Sequence, residues 1–169
     1  FTNVVKIEVP CQSGRLYRAD SKWAKISFED PCEVIVDNIR YVATSNTEAM
    51  ALGYTPTKPT GRLEFPETIQ YNANTLKVTE IYDKAFSYLG ITELILPKYL
   101  TKIGKESFRN NKSLKKITLN ENLKHIGDRA FCQCTGIEGN LIFPASVITI
   151  EDYSFYNCYN IDTLKILAN

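Results

Sequence analysis

The groups in this 169-residue sequence that could carry out a reaction are one histidine, five cysteines and several carboxylates. A catalytic histidine needs a nucleophile beside it and a third group that orients it. The pattern around His125 places no serine or cysteine to face it, and similar neighbouring segments carry Lys102 and Thr149 at the same position. We therefore interpret His125 as a solvent-facing loop residue rather than as a general base.

The cysteines are Cys11, Cys32, Cys132, Cys134 and Cys158. Because their number is odd, at least one is a free thiol or bonds to another molecule, and the state of Cys11 and Cys32 stays open. Cys132 and Cys134 resemble half of a metal-binding motif, but no second pair of cysteines or histidines accompanies them. We expect these thiols to pack as small apolar groups, with no metal site and no cofactor.

Three carboxylates, Asp128, Glu151 and Asp152, fall in short turn segments. There we expect them to cap backbone N–H groups or to face solvent, rather than to form the carboxylate pair of a glycosidase. The sequence contains neither a phosphate-binding loop nor a zinc motif. Together with the isolated histidine, these features predict a protein that is not an enzyme and has no catalytic residues.

The composition argues against two further classes of partner. The formal net charge is only +1, and the ten tyrosines do not alternate with basic residues, so we expect no nucleic-acid partner. No run of eighteen apolar residues occurs, so we expect no membrane insertion. Residues 1–10 lack the basic and apolar regions of a signal peptide, which does not argue against secretion of a mature protein.

A repeated segment predicts the architecture that must position all of these groups. Its four copies are IYDKAFSYL, IGKESFRNN, IGDRAFCQC and IEDYSFYNC, which begin at Ile81, Ile103, Ile126 and Ile150. Steps of 22, 23 and 24 residues separate their phenylalanines, which are Phe86, Phe108, Phe131 and Phe155. A fixed period in this range predicts a solenoid, in which stacked coils share one apolar interior.

Each coil also carries an alternating apolar pair, which predicts a short strand with one buried face. The pairs are Leu63 and Phe65, Leu94 and Leu96, Ile117 and Leu119, Leu141 and Phe143, and Leu164 and Ile166. Around each phenylalanine we expect a short helical turn, preceded by Ala or Ser because neighbouring coils approach closely there. Asn111, Cys134 and Cys158 share one position, which we expect to point inward; this argues against use of the glycosylation sequon at Asn111.

The amino-terminal third lacks the period. Residues 32–44 predict a β-hairpin that turns at Asp37-Asn38. Residues 4–9 and 23–28 resemble further strands, whereas residues 44–61 are rich in turn residues and predict a link.

We expect two domains. Residues 1–56 would form a small β-rich module that caps the first coil, although residues 1–31 have no assigned role. Residues 57–169 would form the solenoid, with four to five repeats of 22–24 residues. Residues 70–78 exceed the repeat length and are expected to protrude as a loop or hairpin.

The repeat Ile-Gly-Asp-x-Ala-Phe, followed by Cys three residues on and later by Leu-x-Leu/Ile/Phe-Pro, resembles the BspA-like leucine-rich repeat family of bacterial proteins. The resemblance covers about residues 34–169, with Leu89 and Asn111 in place of the usual Cys and Tyr82 and Glu151 in place of Gly. It implies an α/β repeat fold. This would be a right-handed leucine-rich-repeat solenoid with a short-stranded parallel sheet on one face, capped by a small N-terminal β module.

The resemblance also implies a secreted or cell-surface protein, of which this chain is a part, that binds other proteins or matrix and has no shared catalytic residues. On this basis we hypothesise a non-catalytic module that binds a protein or glycan in adhesion or host interaction. The alternative is a structural spacer of a longer surface protein, with no ligand of its own.

The candidate ligand-contact face consists of strand residues that alternate with the buried pairs and therefore point outward. They are Arg62, Glu64, Glu93, Ile95, Lys116, Thr118, Asn140, Ile142, Thr163 and Lys165. Ile95 and Ile142 are apolar on a face that should be wet, and an exposed apolar group among polar ones can mark a contact site.

Overall fold

The computed structural model describes residues 7–8, 28–29 and 33–167, which form fifteen strands and no helix. The first eight strands are β1 (Ile7–Glu8), β2 (Phe28–Glu29), β3 (Glu33–Val36), β4 (Ile39–Ala43), β5 (Glu48–Tyr54), β6 (Thr60–Glu64), β7 (Thr68–Tyr71) and β8 (Asn74–Ile81). The others are β9 (Gly90–Ile95), β10 (Lys102–Ile103), β11 (Lys116–Thr118), β12 (His125–Ile126), β13 (Gly139–Phe143), β14 (Thr149–Ile150) and β15 (Ile161–Ile166). With no helix in these residues, the described chain offers no helical segment long and apolar enough to cross a bilayer.

Each repeat contributes strands to two stacks. We call the first stack the front sheets, which are the parallel sheet of β6, β9 and β11 and the parallel pair of β13 and β15. The second is the back ladder, in which β8, β10, β12 and β14 pair in parallel from one repeat to the next. The sequence predicted a parallel sheet on one face only. The second residue of the apolar pair before each later phenylalanine, such as Ile103 after Leu100, lies in a strand of this second stack.

The turn around each phenylalanine is not helical, which corrects the predicted helical turn and with it the α/β class. In every repeat the residues two before and two after the phenylalanine have φ between 52° and 62°: Lys84 and Tyr88, Glu106 and Asn110, Arg129 and Gln133, Tyr153 and Asn157. A left-handed residue interrupts the right-handed dihedrals that a helix needs. The turn instead bonds to the next repeat, as where the Phe108 N–H donates to the Ala130 carbonyl at 2.9 Å.

The four phenylalanines lie along one axis, as their spacing predicted. The ring centroids are 5.8, 5.3 and 5.1 Å apart from Phe86 through Phe108 and Phe131 to Phe155, and consecutive rings are within 18° of parallel. Phe65 extends the column edge-on at 5.1 Å from Phe86. Side chains from both stacks of strands surround this column in one apolar cluster. Because burying one such side chain contributes about 1.5–3 kcal/mol, each repeat depends on its neighbours for stability.

Close approach of the repeats explains the small residues beside each phenylalanine. All four are buried: Ala85, Ser107, Ala130 and Ser154. The glycine at the start of the turn has the same cause, since a Cβ at Gly104 would lie 2.7 Å from the Ile81 carbonyl oxygen. Gly104 does not have a positive φ. The available space, rather than the backbone dihedral, therefore selects glycine at this position.

The amino-terminal hairpin is as predicted, but the prediction of an unstructured link after it is wrong. β3 and β4 pair antiparallel around Asp37 and Asn38, whose φ values of 50° and 62° suit a two-residue primed turn. Within residues 44–61 the chain forms β5, which lies between β4 and β8 and buries Ala49 and Ala51 completely. Serines, threonines and prolines on both sides obscure this apolar run in the sequence.

The protruding segment at residues 70–78 belongs to a hairpin of β7 and β8, which confirms the second of its two predicted forms. Of the strands predicted at 4–9 and 23–28, only 7–8 and 28 lie within the described residues; there β1 and β2 pair in parallel. β5 joins the hairpin of β3 and β4 to the back ladder in one sheet. The division into domains at residue 56 stays a prediction.

Candidate binding surface

The candidate ligand-contact residues all lie on strands of the front sheets, and on β6, β9 and β13 they alternate with buried residues. In the sheet of β6, β9 and β11, the register aligns Arg62, Glu93 and Lys116 in one row and Glu64, Ile95 and Thr118 in another. In the pair of β13 and β15, the register aligns Asn140 with Thr163 and Ile142 with Lys165. The structure therefore brings the ten residues together in short transverse rows.

The rows do not run unbroken across all five strands. Within the described residues β11 and β13 do not pair; just before them, a 3.4 Å hydrogen bond runs from the Glu138 N–H to the Lys115 carbonyl. β13 begins with Gly139 at φ 79°, where its register with β15 also shifts. We therefore distinguish a three-strand patch (Arg62, Glu64, Glu93, Ile95, Lys116, Thr118) from a two-strand patch (Asn140, Ile142, Thr163, Lys165).

The charges of the three-strand patch neutralise one another. Arg62 Nη2 lies 2.9 Å from Glu64 Oε2, and Lys116 Nζ lies 3.6 Å from Glu93 Oε1. Exposed pairs of this kind stabilise a fold by only about 0–1 kcal/mol. Ile95 is half-buried, so it offers a ligand less apolar surface than the sequence suggested.

The two-strand patch is more available. Ile142 is 51% exposed and lies in register with Lys165. Lys165 forms no ion pair with any residue that the structure describes. Asn140 and Thr163 are exposed and supply hydrogen-bond donors and acceptors. This patch can therefore contact an apolar group and an anionic or hydroxyl group of one ligand at the same time.

His125 lies elsewhere, on β12 of the back ladder. Its register partners are Lys102 and Thr149, which confirms the equivalence seen in the sequence, and its side chain is exposed. It therefore belongs to the opposite stack of strands from both patches.

The position shared by Asn111, Cys134 and Cys158 points inward, as predicted. Asn111 is buried; its Nδ2 donates to the Phe86 carbonyl at 2.9 Å and its Oδ1 accepts from the Leu89 N–H at 3.2 Å. In the next two repeats a thiol makes the equivalent bond: Cys134 Sγ donates to the Phe108 carbonyl at 3.1 Å and Cys158 Sγ to the Phe131 carbonyl at 3.2 Å. A buried Asn111 is not accessible as a glycosylation acceptor.

Burial makes the described thiols poor nucleophiles. It raises the pKa of Cys158 to about 11 and raises the pKa of the more deeply buried Cys134 as well. Because the thiolate is the reactive form, neither is activated at neutral pH. Cys132 is also a free thiol with a raised pKa, whereas Cys11 and Cys32 lie outside the described residues.

The carboxylates of the turn segments serve structural contacts. Asp128 Oδ2 lies 2.9 Å from Lys105 Nζ and 2.6 Å from Arg129 Nη1, and the bond from Lys105 lowers the pKa of this carboxyl. Glu151 Oε2 accepts a 2.9 Å hydrogen bond from the Asp128 N–H, which agrees with the predicted capping role. Among the described residues no group of three or more His, Cys, Asp or Glu is placed to hold a metal ion.

Sequence reasoning did not identify the cleft beside these carboxylates. The Arg129 guanidinium lies 4.9 Å from the centre of the Tyr153 ring, and Asp128, Glu151 and Asp152 complete the lining. Arg129 and Tyr153 occupy equivalent positions of successive repeats, so only the stacking of those repeats brings them together. The pattern of residue types along the chain contains no sign of this contact.

The apolar pair of the last repeat corrects another prediction. Leu164 and Ile166 were expected to be buried, yet they are 55% and 57% exposed. Their equivalents one repeat earlier, Leu141 and Phe143, are 6% and 1% exposed. Leu164 and Ile166 have the same strand geometry but no following repeat packed against them in the described chain.

Comparison with known proteins identifies the repeat. Residues 76–169 match the BspA type leucine rich repeat region in six copies. A leucine-rich repeat protein from Bacteroides capillosus has a similar structure, with a TM-score of 0.68 and 23% identity over 81% of this chain and 99% of that one. No curated protein is significantly similar in sequence.

Two similar structures come from larger proteins. A leucine rich cell surface protein from Faecalibacterium prausnitzii has a TM-score of 0.63 and 21% identity over 82% of this chain and 44% of its own. The pneumococcal vaccine antigen PcpA has a TM-score of 0.64 and 20% identity over 80% of this chain and 38% of its own. This chain therefore spans less than half the length of either. At these identities the likeness shows a shared fold alone.

Proposed function

The chain belongs to the BspA-type leucine-rich repeat family, and from that premise we propose that it is a non-catalytic binding module of a secreted or cell-surface protein. Its front sheets bind a protein or a glycan. The observation that carries this proposal is the two-strand patch, where an exposed apolar side chain, Ile142, lies beside Lys165. Contacts of this composition can exclude water at their centre and form hydrogen bonds at their rim.

The two patches have different roles in this proposal. Ile142 supplies the apolar contact, while Asn140, Thr163 and Lys165 hydrogen-bond to a ligand group. The three-strand patch forms a polar rim, because its charges already have partners at 2.9 and 3.6 Å. Rim contacts contribute little affinity but help to orient the ligand.

The finer architecture belongs to the same proposal. Successive parallel strands are joined by crossovers, and such crossovers are almost always right-handed, so we infer a right-handed solenoid. The module at residues 1–56 closes the first coil, because the apolar interior of a repeat array must be covered at its ends. The location is inferred from the family and from similar structures, one of which is described as a cell surface protein.

A second function, a spacer without a ligand, has one observation in its favour. The charges of the three-strand patch satisfy each other, as they do on an ordinary solvated sheet face. A spacer predicts that neither patch contributes to any binding reaction. The two functions therefore differ in the effect of a single substitution at Ile142.

The test compares two exposed isoleucines. Purified chain is screened against immobilised matrix proteins and a glycan array, and any binding is then measured for Ile142→Asp and for Ile35→Asp. Ile35 is 61% exposed on β3, which belongs to the sheet of the back ladder and not to the front sheets, and so it provides a matched control. We expect Ile142→Asp to weaken binding by about tenfold or more, since an apolar contact at an interface centre is replaced by a charge.

Equal binding by wild type and Ile142→Asp would remove the two-strand patch from the proposal, and binding to none of the probes would favour the spacer. Ile95→Asp is a weaker test. Its side chain is half-buried, so the substitution lowers folding stability as well.

A further inference from the structure

A cleft lies where the turns before Phe131 and Phe155 meet, and we call it the turn cleft. Its walls are Asp128 and Arg129 from one turn and Glu151, Asp152 and Tyr153 from the next. None of these five residues belongs to a strand of the front sheets or of the back ladder. The cleft encloses about 420 Å³, which lies within the range of roughly 300–1,000 Å³ that small-molecule sites occupy.

The turn cleft is a feature of the junction between two repeats. The Arg129 N–H donates to the Asp152 carbonyl at 3.0 Å, and the Asp128 N–H donates to Glu151 Oε2 at 2.9 Å. These two bonds hold its walls together. A further coil of the array would stack on the side of Tyr153 that faces away from Arg129, so it would extend one wall and leave the cleft open.

The Arg129 guanidinium is fixed inside the turn cleft. Its Nη1 lies 2.6 Å from Asp128 Oδ2, and its centre lies 4.9 Å from the centre of the Tyr153 ring. The hydrogen bond from Lys105 lowers the pKa of Asp128, so this carboxylate stays ionised at neutral pH and keeps hold of Arg129. A guanidinium has five N–H donors, and the bond to Asp128 uses one of them. The others can donate to a ligand without the entropic cost of ordering the side chain.

Two carboxylates provide acceptors beside this donor. Asp152 is exposed and forms no ion pair with any residue in the described part of the chain. Glu151 uses one carboxylate oxygen for the Asp128 N–H, which leaves the other available. Because ionised carboxylates only accept hydrogen bonds, the ligand must supply donors to them and an acceptor to Arg129.

The charges of the cleft indicate which kind of group satisfies both needs. An anionic group would meet the carboxylates of Asp128, Glu151 and Asp152. A cationic group would lie against Arg129, which already stacks on the Tyr153 ring. A hydroxyl group is neutral and both donates and accepts. A pyranose sugar carries several hydroxyls around its rim and apolar C–H groups on its faces, which suit the aromatic ring.

We propose that the turn cleft binds a neutral pyranose unit of a glycan. Arg129 donates hydrogen bonds to its hydroxyl oxygens, while Glu151 and Asp152 accept from its hydroxyl groups. The part of the Tyr153 ring that Arg129 leaves uncovered contacts its C–H groups, and Asp128 positions Arg129. This site is separate from the two patches of the front sheets and does not depend on their function.

Titration of the full chain with small sugars, followed by NMR of the backbone amides, tests this inference. The probes are the methyl pyranosides of glucose, galactose, mannose and N-acetylglucosamine. We expect at least one of them to shift the amides of residues 127–130 and 151–154 in a saturable way. Methyl glucuronide and N-acetyl-lysine methylamide carry a carboxylate and an ammonium group, and each should bind at least about tenfold more weakly because of like-charge repulsion.

Three variants and a matched control identify the contacts. Tyr153→Asn removes the ring while tolerating the backbone φ of 57°, and should weaken sugar binding by about five- to tenfold. Arg129→Lys keeps the charge but loses the planar array of donors, and should weaken it by about tenfold. Asp152→Ala should also weaken binding. Asp162→Ala, at an exposed aspartate on β15, should not. Circular dichroism confirms that each variant is folded.

The absence of a saturable shift at the turn cleft with every neutral sugar would overturn the inference. Equal binding of either charged probe would assign the cleft to a charged group and would also contradict it, as would equal weakening by Asp162→Ala and Asp152→Ala. These results are distinct from those that test the proposed function. Ile142→Asp should leave sugar binding at the cleft unchanged, and Tyr153→Asn should leave binding by the front sheets unchanged.

Discussion

The two ends of the repeat array use the same kinds of side chain and reach different degrees of burial. At the first end, β5 packs beside β8, and Phe65 and Phe86 are fully enclosed. At the last end, Phe155 stacks on Phe131 at 5.1 Å, and within residues 33–167 no further ring continues the column beyond it. The difference shows that burial in this fold belongs to the junction between two repeats, and not to a repeat by itself.

The largest expected effect compares two phenylalanines of the column. Phe108→Ala should lower the free energy of unfolding by about 3–5 kcal/mol, because it leaves a cavity between two stacked rings. Phe155→Ala should lower it by about 1–2 kcal/mol, since Phe155 is only partly buried and water can fill the space. Urea denaturation followed by circular dichroism measures both. Equal losses would contradict the difference between interior and end.

The next effect concerns the inward-pointing position that Asn111, Cys134 and Cys158 share in successive repeats. Asn111→Ala should lower the free energy of unfolding by about 2–3 kcal/mol, because it leaves the Leu89 N–H and the Phe86 carbonyl buried without their partner. The Phe108 carbonyl keeps its bond from the Cys134 thiol. Asn111→Cys introduces the thiol that the following repeats carry at this position, so it should lower stability less than Asn111→Ala does. Cys158→Ala, at the open end, should lower stability by less than about 1 kcal/mol. A Cys158→Ala loss as large as that of Asn111→Ala would break the comparison.

The thiols offer a comparison by pH. Since burial raises the pKa of Cys158 to about 11, its maleimide labelling in the folded chain should rise about tenfold per pH unit through pH 9–10, as its thiolate fraction does. In urea the same thiol has an ordinary pKa and should level off near pH 9. Cys134, buried one repeat further in, should label more slowly than Cys158 throughout. Peptide mass spectrometry assigns each site, and faster labelling of Cys134 would contradict the order of burial.

The smallest effect lies on the front sheets. Lys116→Ala removes an exposed pair with Glu93 and should change the free energy of unfolding by at most about 0.5 kcal/mol. Raising the salt concentration should shrink even that difference, because salt screens exposed charges. A loss above about 1 kcal/mol in thermal or urea unfolding would mean that this pair also holds neighbouring strands together.

Spacing in the sequence was sufficient to predict the column of phenylalanines, the buried residues beside them and the outward direction of the ten candidate residues. These depend on local alternation and on a period, both of which a single sequence contains. The left-handed dihedrals at Lys84 and Glu106 were not predictable, because neither residue type favours them. They arise from the turn bonding to the next repeat, and their presence removed the expected helix.

The remaining wrong predictions depend on which strands or repeats pack against an element, and the order of residues along the chain does not contain this information. β5 was missed because its apolar run is short and lies among turn residues, although its place between β4 and β8 buries it. Leu164 and Ile166 follow the buried pattern but have no repeat packed over them. The gap between β11 and β13 precedes an irregular start of β13 at Gly139, and no alternation of residue types reveals either.

Amide hydrogen exchange measured by NMR, at concentrations where the chain is monomeric, tests most directly whether each repeat is completed by the next. The Phe86, Phe108 and Phe131 amides donate to carbonyls of the following repeat, so we expect each to exchange at least about a thousandfold more slowly than an unprotected amide. The Phe155 amide, at the open end, should exchange close to the unprotected rate. Equal protection of all four amides, or rapid exchange at Phe108, would contradict a structure whose stability resides in the junctions between repeats.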